Sequence, residues 1–349
     1  MKVLLLLAGS WLLPGLDGTV LEFPRDHGAH PGHKTEWWYW TGRLTDDRNR
    51  RYGFQVTFFR RALPLRTREP RSRWDADAVV LGHAALGEVS VQRFRYAERA
   101  GRTAMGRAWS AGHRLSVGVG PWQAHQDKDR ILLKIPSRDW SLDLELRESR
   151  RPMIHGPAAY SRKSDQLDQG SRYYSQPRLS VKGWIETDEG RRPARGEAWL
   201  DREWTSTGLG PDGVGWDWFS LTLADGRDVM IYVLRDKQGR FLKISKGSLR
   251  HADGRHHSWT PSRDTLHPTR YWTSPHSGIR YPAGWSIVLP GDSVPLIIQP
   301  ELPDQELRTT RTTGVTYWEG LVSARRGDRP AGWGFVELTG YGKSGSPRL

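Results

Sequence analysis

Residues 196–204, Gly-Glu-Ala-Trp-Leu-Asp-Arg-Glu-Trp, hold the densest run of groups able to move a proton. Extended as a strand, this segment projects Glu197, Trp199, Asp201 and Glu203 from one face and Ala198, Leu200, Arg202 and Trp204 from the other. Three carboxyls beside a tryptophan cannot all stay ionised in apolar surroundings. Burial and mutual repulsion raise at least one pKa and leave the protonated carboxyl that acid-catalysed attack on an alkene or enol requires. The competing reading is a structural ion-pair cluster of Asp201, Arg202 and Glu203 at a domain junction, since such networks also perturb pKa values. Glu36 opens a second Trp-rich stretch; facing inward it orients a substrate, and otherwise it pairs with an arginine.

Around these acids the sequence offers aromatic and polar partners. Trp37, Trp38, Trp40, Trp199, Trp216 and Trp218 could line a cavity, where their faces stabilise a developing carbocation or a polyene. Trp38 and Trp40 share one strand face, as do Trp216 and Trp218, so about half of the six are expected to be packing residues. Tyr174 could supply a hydroxyl and Arg178 an anion contact, although Arg178 serves equally well to tie two domains together. His155 precedes Gly156 in a turn and reads first as a satisfied loop histidine, second as a site residue. His27, His30 and His33 follow one another at steps of three, but Pro31 and Gly32 break the helix that would align them, so no metal is expected. There is no Gly-x-Ser-x-Gly elbow and no dinucleotide fingerprint, and residues 342–344 only mimic the end of a phosphate loop; no cofactor is expected.

The elements that must hold these groups are strands. The chain has 349 residues, 36% of them hydrophobic, with 18 Trp, 11 Tyr and 8 Phe set among 38 Gly and 22 Pro, a turn-rich composition with large aromatic side chains that suits β-barrels and sandwiches. Phe54, Val56 and Phe58 alternate with Gln55, Thr57 and Phe59, and Leu142, Leu144 and Leu146 alternate with Asp143, Glu145 and Arg147, as half-buried strands do. Further strands are expected at 114–119, 131–135, 179–184, 219–223, 229–234, 285–289, 317–323 and 334–339, and no segment supports a long helix. The net charge of +14 comes mostly from arginines spread among acids and aromatics, which does not point to nucleic acid. The absence of cysteine removes disulfides, thiolate metal sites and thiol nucleophiles. No apolar run reaches the length of a membrane span.

An internal repeat aligns Trp38-Tyr39-Trp40 and the following hairpin to Arg60 with Trp216-Asp217-Trp218 and its hairpin to Arg235. It suggests two copies of one β-domain, 21–185 and 186–349, behind a possible export signal at 1–20. The leader favours a periplasmic or secreted protein, with a cytoplasmic location as the alternative.

Seven ordered motifs resemble a known family: His30-Pro31-x-His33-x-Thr35-Glu36-Trp37-Trp38-Tyr39, Gly53-Phe54-Gln55-Val56-x-Phe58-Phe59-Arg60, Tyr173-Tyr174-Ser175-x-x-Arg178-Leu179, Gly196-x-Ala198-Trp199-x-Asp201-Arg202-Glu203-Trp204, Gly215-Trp216-Asp217-Trp218-Phe219, Tyr317-Trp318-Glu319-Gly320 and Val336-Glu337-Leu338-Thr339-Gly340-Tyr341. Together they resemble the AttH-like and carotenoid 1,2-hydratase family of two-domain lipocalin-like proteins. The resemblance implies an all-β fold of two calycin barrels with an apolar cavity. It also implies that Asp201 matches the hydratases' proposed proton donor, with Trp199 where those enzymes carry a tyrosine. The function expected is a cofactor-free hydration, dehydration, isomerisation or cyclisation of a lipophilic unsaturated molecule of isoprenoid, carotenoid or polyketide type. On this reading Asp201, Glu203, Glu36 and Tyr174 do the chemistry, while Trp37, Trp38, Trp199, Trp216, Trp218, Arg178 and His155 bind the substrate. A carrier of a lipophilic ligand is the alternative, and a glycan or polyanion binder a third reading.

Overall fold

A computed structural model describes residues 12–14, 20–63, 72–165, 169–210 and 212–342. The expected export signal, 1–20, lies outside them except for 12–14 and Val20. Within them the chain is nearly all β, with only four short 3-10 turns, the first at Arg25–His27.

Four strands begin the first sheet as a meander: β1 (Thr35–Asp46), β2 (Arg51–Ala62), β3 (Ala78–Glu88) and β4 (Arg93–Arg102). A long hairpin, β5 (Gly170–Thr187) and β6 (Gly190–Thr205), returns so that β6 pairs with β1. Five shorter strands between Ala108 and Arg147 extend the sheet beyond β5, every pairing being antiparallel. The two ends curl towards each other: a Cβ added at Gly82 would lie 2.9 Å from the Trp122 ring, and one at Gly101 would lie 3.1 Å from Val119. The sheet is therefore a nearly closed barrel.

The second sheet repeats the plan as a curled half-barrel. Strands β7 (Gly215–Leu223), β8 (Asp228–Arg235), β9 (Lys246–Arg250) and β10 (His256–Trp259) form its meander. The hairpin of β11 (Val315–Arg326) and β12 (Arg329–Thr339) returns so that β12 pairs with β7, as β6 pairs with β1. The chain crosses between sheets at 205–215, C-terminal to the boundary read at 185/186, because the β5–β6 hairpin belongs wholly to the first sheet.

The repeat alignment changes by one residue. Arg60 lies opposite Glu36, and Arg235 lies opposite Gly215, so Trp216 corresponds to Trp37 and Trp218 to Tyr39. A one-residue shift exchanges the two faces of a strand. Trp38 and Trp40 accordingly point into the barrel with Phe54, Val56 and Phe58, whereas Trp216 and Trp218 point out of theirs.

Both curled sheets are filled with side chains. Trp38, Trp40, Leu133 and Leu144 fill the first, and Phe219, Ile231, Trp285 and Trp318 the second. The apolar cavity expected inside a barrel therefore has no room there. The outward faces of β1, β5, β6, β7, β8 and β12 instead meet each other through Tyr39, Tyr173, Trp199, Trp218, Tyr232 and Phe335.

Candidate functional site

A cavity of about 380 Å³ lies between the two sheets, walled on one side by β1, β2, β3, β5 and β6 and on the other by β7, β8, β11 and β12. Odd-numbered residues of β1 to β3 reach it: Trp37, Tyr39, Thr57, Phe59, Leu81 and His83. They are the face of each strand that the barrel core does not use, so alternation alone delivers them.

Asp201 faces the cavity from the middle of β6 and is 2% exposed. It lies opposite Ser175 on β5 and Tyr39 on β1. Its Oδ1 accepts hydrogen bonds from Ser175 Oγ and, at 2.6 Å, from Trp199 Nε1; its Oδ2 accepts one from the Tyr173 hydroxyl. Trp218 Nε1 donates to that hydroxyl at 3.0 Å, and His155 Nε2 lies 2.7 Å from Ser175 Oγ with its other nitrogen 3.0 Å from Ser248. Among the described residues no cation pairs with Asp201. Burial raises its pKa, the three donors oppose the rise, Glu203 adds to it, and the carboxyl is pushed up to about 7. Such a group is poised to give or take a proton near neutrality.

Glu203 stands one strand step further along, paired with Lys163 at 2.8 Å and accepting a hydrogen bond from Ser171. Lys163 Nζ lies 4.3 Å from the centre of the Tyr232 ring. Burial works against the lysine's charge, and Glu203 and Tyr232 more than restore it, so its pKa rises.

Several expected site residues sit elsewhere. Glu36 is completely buried on the opposite face, 2.9 Å from Arg202 Nη2 and 3.2 Å from Arg60 Nη1, with His30 N donating to both of its oxygens. Burial would raise its pKa, but His30 and Arg202 outweigh that and hold it down to about 2. Of its two sequence readings, the arginine pairing is the one observed. Arg202 packs between Trp38 and Trp204 and does not touch Asp201, because adjacent strand residues face opposite ways. The Asp201–Arg202–Glu203 ion cluster is thus excluded by alternation.

Tyr174 also points away from the cavity, its hydroxyl 2.6 Å from His27 Nδ1, and Tyr173 takes the place expected of it. Trp38 is a core residue whose Nε1 donates to the His27 carbonyl. Arg178 sits at a β-bulge with φ +55° and bonds Asp228 and the Leu223 carbonyl, linking the two sheets. Trp199 and His155 stand behind Asp201 rather than on the cavity surface, while Trp37, Trp216 and Trp218 line it. Trp199 supplies Asp201 with a hydrogen-bond donor.

Reading the sequence also missed, among other cavity residues, His83, Glu319 and Glu337. His83 is buried, with Nδ1 2.9 Å from Tyr317 Oη and Nε2 2.7 Å from Thr312 Oγ1, and desolvation takes its pKa down to about 3, keeping the ring neutral. Glu319 and Glu337 lie directly opposite each other on β11 and β12, both facing the cavity. Each is a lone acid in the middle of an otherwise apolar strand, a pattern visible in residues 317–322 and 335–338. It was legible only as a family motif, not as chemistry.

The AttH-like family profile matches residues 14–341. A crystal structure from Nitrosomonas europaea that carries the AttH name is 34% identical and superposes with a TM-score of 0.84, over 95% of this chain and 100% of that one. Kievitone hydratase from Nectria haematococca shares the fold at 15% identity and a TM-score of 0.71, over 93% and 95% of the two chains. CghA, solved with Sch210972, shares it more distantly, at 12% identity and 0.52 over 88% and 89%. No curated protein matches the sequence. With the profile spanning nearly the whole chain, this protein belongs to the AttH-like family.

Proposed function

We propose that this protein is an enzyme of the hydratase or isomerase type, acting on a lipophilic unsaturated small molecule held between the two sheets and needing only a proton and water. The observation that carries the reading is Asp201: a buried carboxyl without a cation among the described residues, facing an aromatic-walled cavity and titrating near neutrality. Protonated Asp201 delivers its proton to an alkene carbon, and the positive charge that develops lies among the faces of Trp37, Tyr39 and Trp218. Capture by water completes hydration, and loss of a proton from a neighbouring carbon completes isomerisation. Three donors occupy three of the four lone-pair sites of Asp201, and the remaining one, on Oδ2, can take the proton. Kievitone hydratase, which shares the fold, adds a hydratase to the reactions this architecture hosts.

The test begins by extracting the purified protein with organic solvent and identifying co-purified lipophiles by mass spectrometry. Incubating them, and a panel of prenylated and polyene compounds, in ¹⁸O-labelled water should label a hydrated product. Recovery of every bound ligand chemically unchanged would instead identify a carrier.

A further inference from the structure

Hydration needs two proton-transferring groups, one to protonate carbon and one to take the proton that the attacking water releases. Asp201 supplies one. The opposite wall holds Glu319 and Glu337, paired directly across adjacent antiparallel strands with both side chains turned into the same cavity. Like charges in that relation are destabilising even on an exposed sheet, and here Glu319 is 2% exposed. Neither carboxyl has an ion-pair partner among the described residues. Two carboxyls side by side, one fully and one partly buried, do not both ionise freely, so the pair retains a proton.

The surroundings decide where that proton sits. Glu337 Oε1 accepts hydrogen bonds from Trp216 Nε1 at 3.1 Å and Thr339 Oγ1 at 3.0 Å, which favour its charged form. Glu319 Oε1 is buried without a hydrogen-bond partner of good geometry; burial and the neighbouring Glu337 raise the Glu319 pKa and outweigh the nearby Tyr39 hydroxyl, which favours its charged form. The proton therefore belongs to Glu319 and the negative charge to Glu337. Trp218, which donates to Tyr173 beside Asp201, lies opposite Glu337 in the sheet, so the two acidic walls meet around one indole.

We propose that Glu319 and Glu337 form a carboxyl pair sharing one proton and serve as the proton acceptor of the cavity, facing the donor Asp201; this rests on the hydration reading above. As Asp201 gives its proton to one alkene carbon, the π pair forms the new C–H bond. Water then forms a C–O bond to the neighbouring cationic carbon, and its surplus proton passes to Glu337. Asp201 ends ionised and the pair doubly protonated, and return of one proton to Asp201 through solvent resets the site. The other titratable and charged groups facing this space are Arg61, Glu203, Lys163, His83, Tyr39, Tyr173, Tyr232 and Tyr317.

Two measurements test the pair. Infrared difference spectroscopy across a pH titration needs no substrate: a carboxyl that stays protonated after Asp201, at about 7, has ionised is expected, above the ordinary carboxylate range. Its band should vanish in Glu319→Gln. Survival of the band in a folded Glu319→Gln protein overturns the assignment, as does its absence from the wild type. On a substrate that the wild type hydrates, Glu337→Gln should lose ~10²-fold or more in water addition. It should still incorporate deuterium from D₂O at the substrate carbon, whereas Asp201→Asn loses both. Unimpaired hydration by Glu337→Gln, or equal loss of hydration and deuterium incorporation, overturns the acceptor role. A wild-type protein that adds water to none of its ligands removes the hydration reading itself, an outcome the infrared result keeps distinct from failure of the pair.

Discussion

Glu36 and Asp201, on opposite faces of the first sheet, are held under opposite rules. On the barrel side Arg202 meets Glu36, with Arg60 completing the pair and Trp38 and Trp204 covering it; every charge has a partner and the carboxyl stays ionised to about pH 2. On the cavity side Asp201 has three neutral donors and, among the described residues, no cation, and its pKa is pushed up to about 7. The two acids lie on neighbouring strands of one sheet and are similarly buried. What separates them is whether burial is answered by a guanidinium or only by N–H and O–H groups. A paired acid holds the fold; an unpaired one in a cavity is available for chemistry.

The largest test of this contrast is Arg202→Met, which leaves Glu36 buried with less than its full complement of cation. Urea denaturation should show a loss of about 3–5 kcal/mol. A loss below about 1 kcal/mol would mean that the barrel face is no more charge-dependent than a surface pair.

The pH dependence of stability sharpens the contrast, because the two acids have opposite signs. Glu36 is depressed in the folded state, so its contribution, about 3 kcal/mol, is fully present above its ordinary value of 4.5 and disappears as pH falls through about 2. Glu36→Gln should flatten the acid limb of the stability curve. Asp201 is raised from 3.8 to about 7, so it costs stability progressively as pH rises between those values. Thermal melts should therefore show Asp201→Asn gaining on the wild type across that interval. A uniform offset at all pH values would argue that Asp201 belongs to a structural network.

In turnover, Asp201→Asn should fall by ~10²-fold or more with little change in ligand affinity, since the amide keeps the shape but holds no transferable proton. Steady-state kinetics and direct binding on the same preparation would show it. The smallest effect is expected from Trp199→Phe, which removes one donor to the Asp201 carboxylate. The pH profile of the reaction should move to higher pH by about one unit, the size of one hydrogen bond to a charged group. An unmoved profile would show that Trp199 only packs.

Much of this architecture was legible in the chain itself. Period-two alternation in residues 54–59 and 141–147 marked strands, and the face assignment of Glu197, Trp199, Asp201 and Glu203 follows from strand geometry alone. Seven short motifs identified the family, and the repeated hairpins anticipated two sheets of like topology. Alternation divides a strand's residues into two sets without saying where either set goes. On β1 both sets are aromatic, Trp37 and Tyr39 against Trp38 and Trp40, so hydrophobicity could not decide which would fill the barrel and which would wall the cavity. That choice, and with it the replacement of Tyr174 by Tyr173 and the removal of Glu36 from the site, was made by the packing of one sheet's outer face on the other's. The meeting of Asp201 with Glu319 and Glu337 is likewise a tertiary fact: Asp201 lies more than a hundred residues from the other two, on a different sheet, and only the packing of the sheets brings their carboxyls to one cavity, where, on top of burial, the charge of one raises the pKa of another.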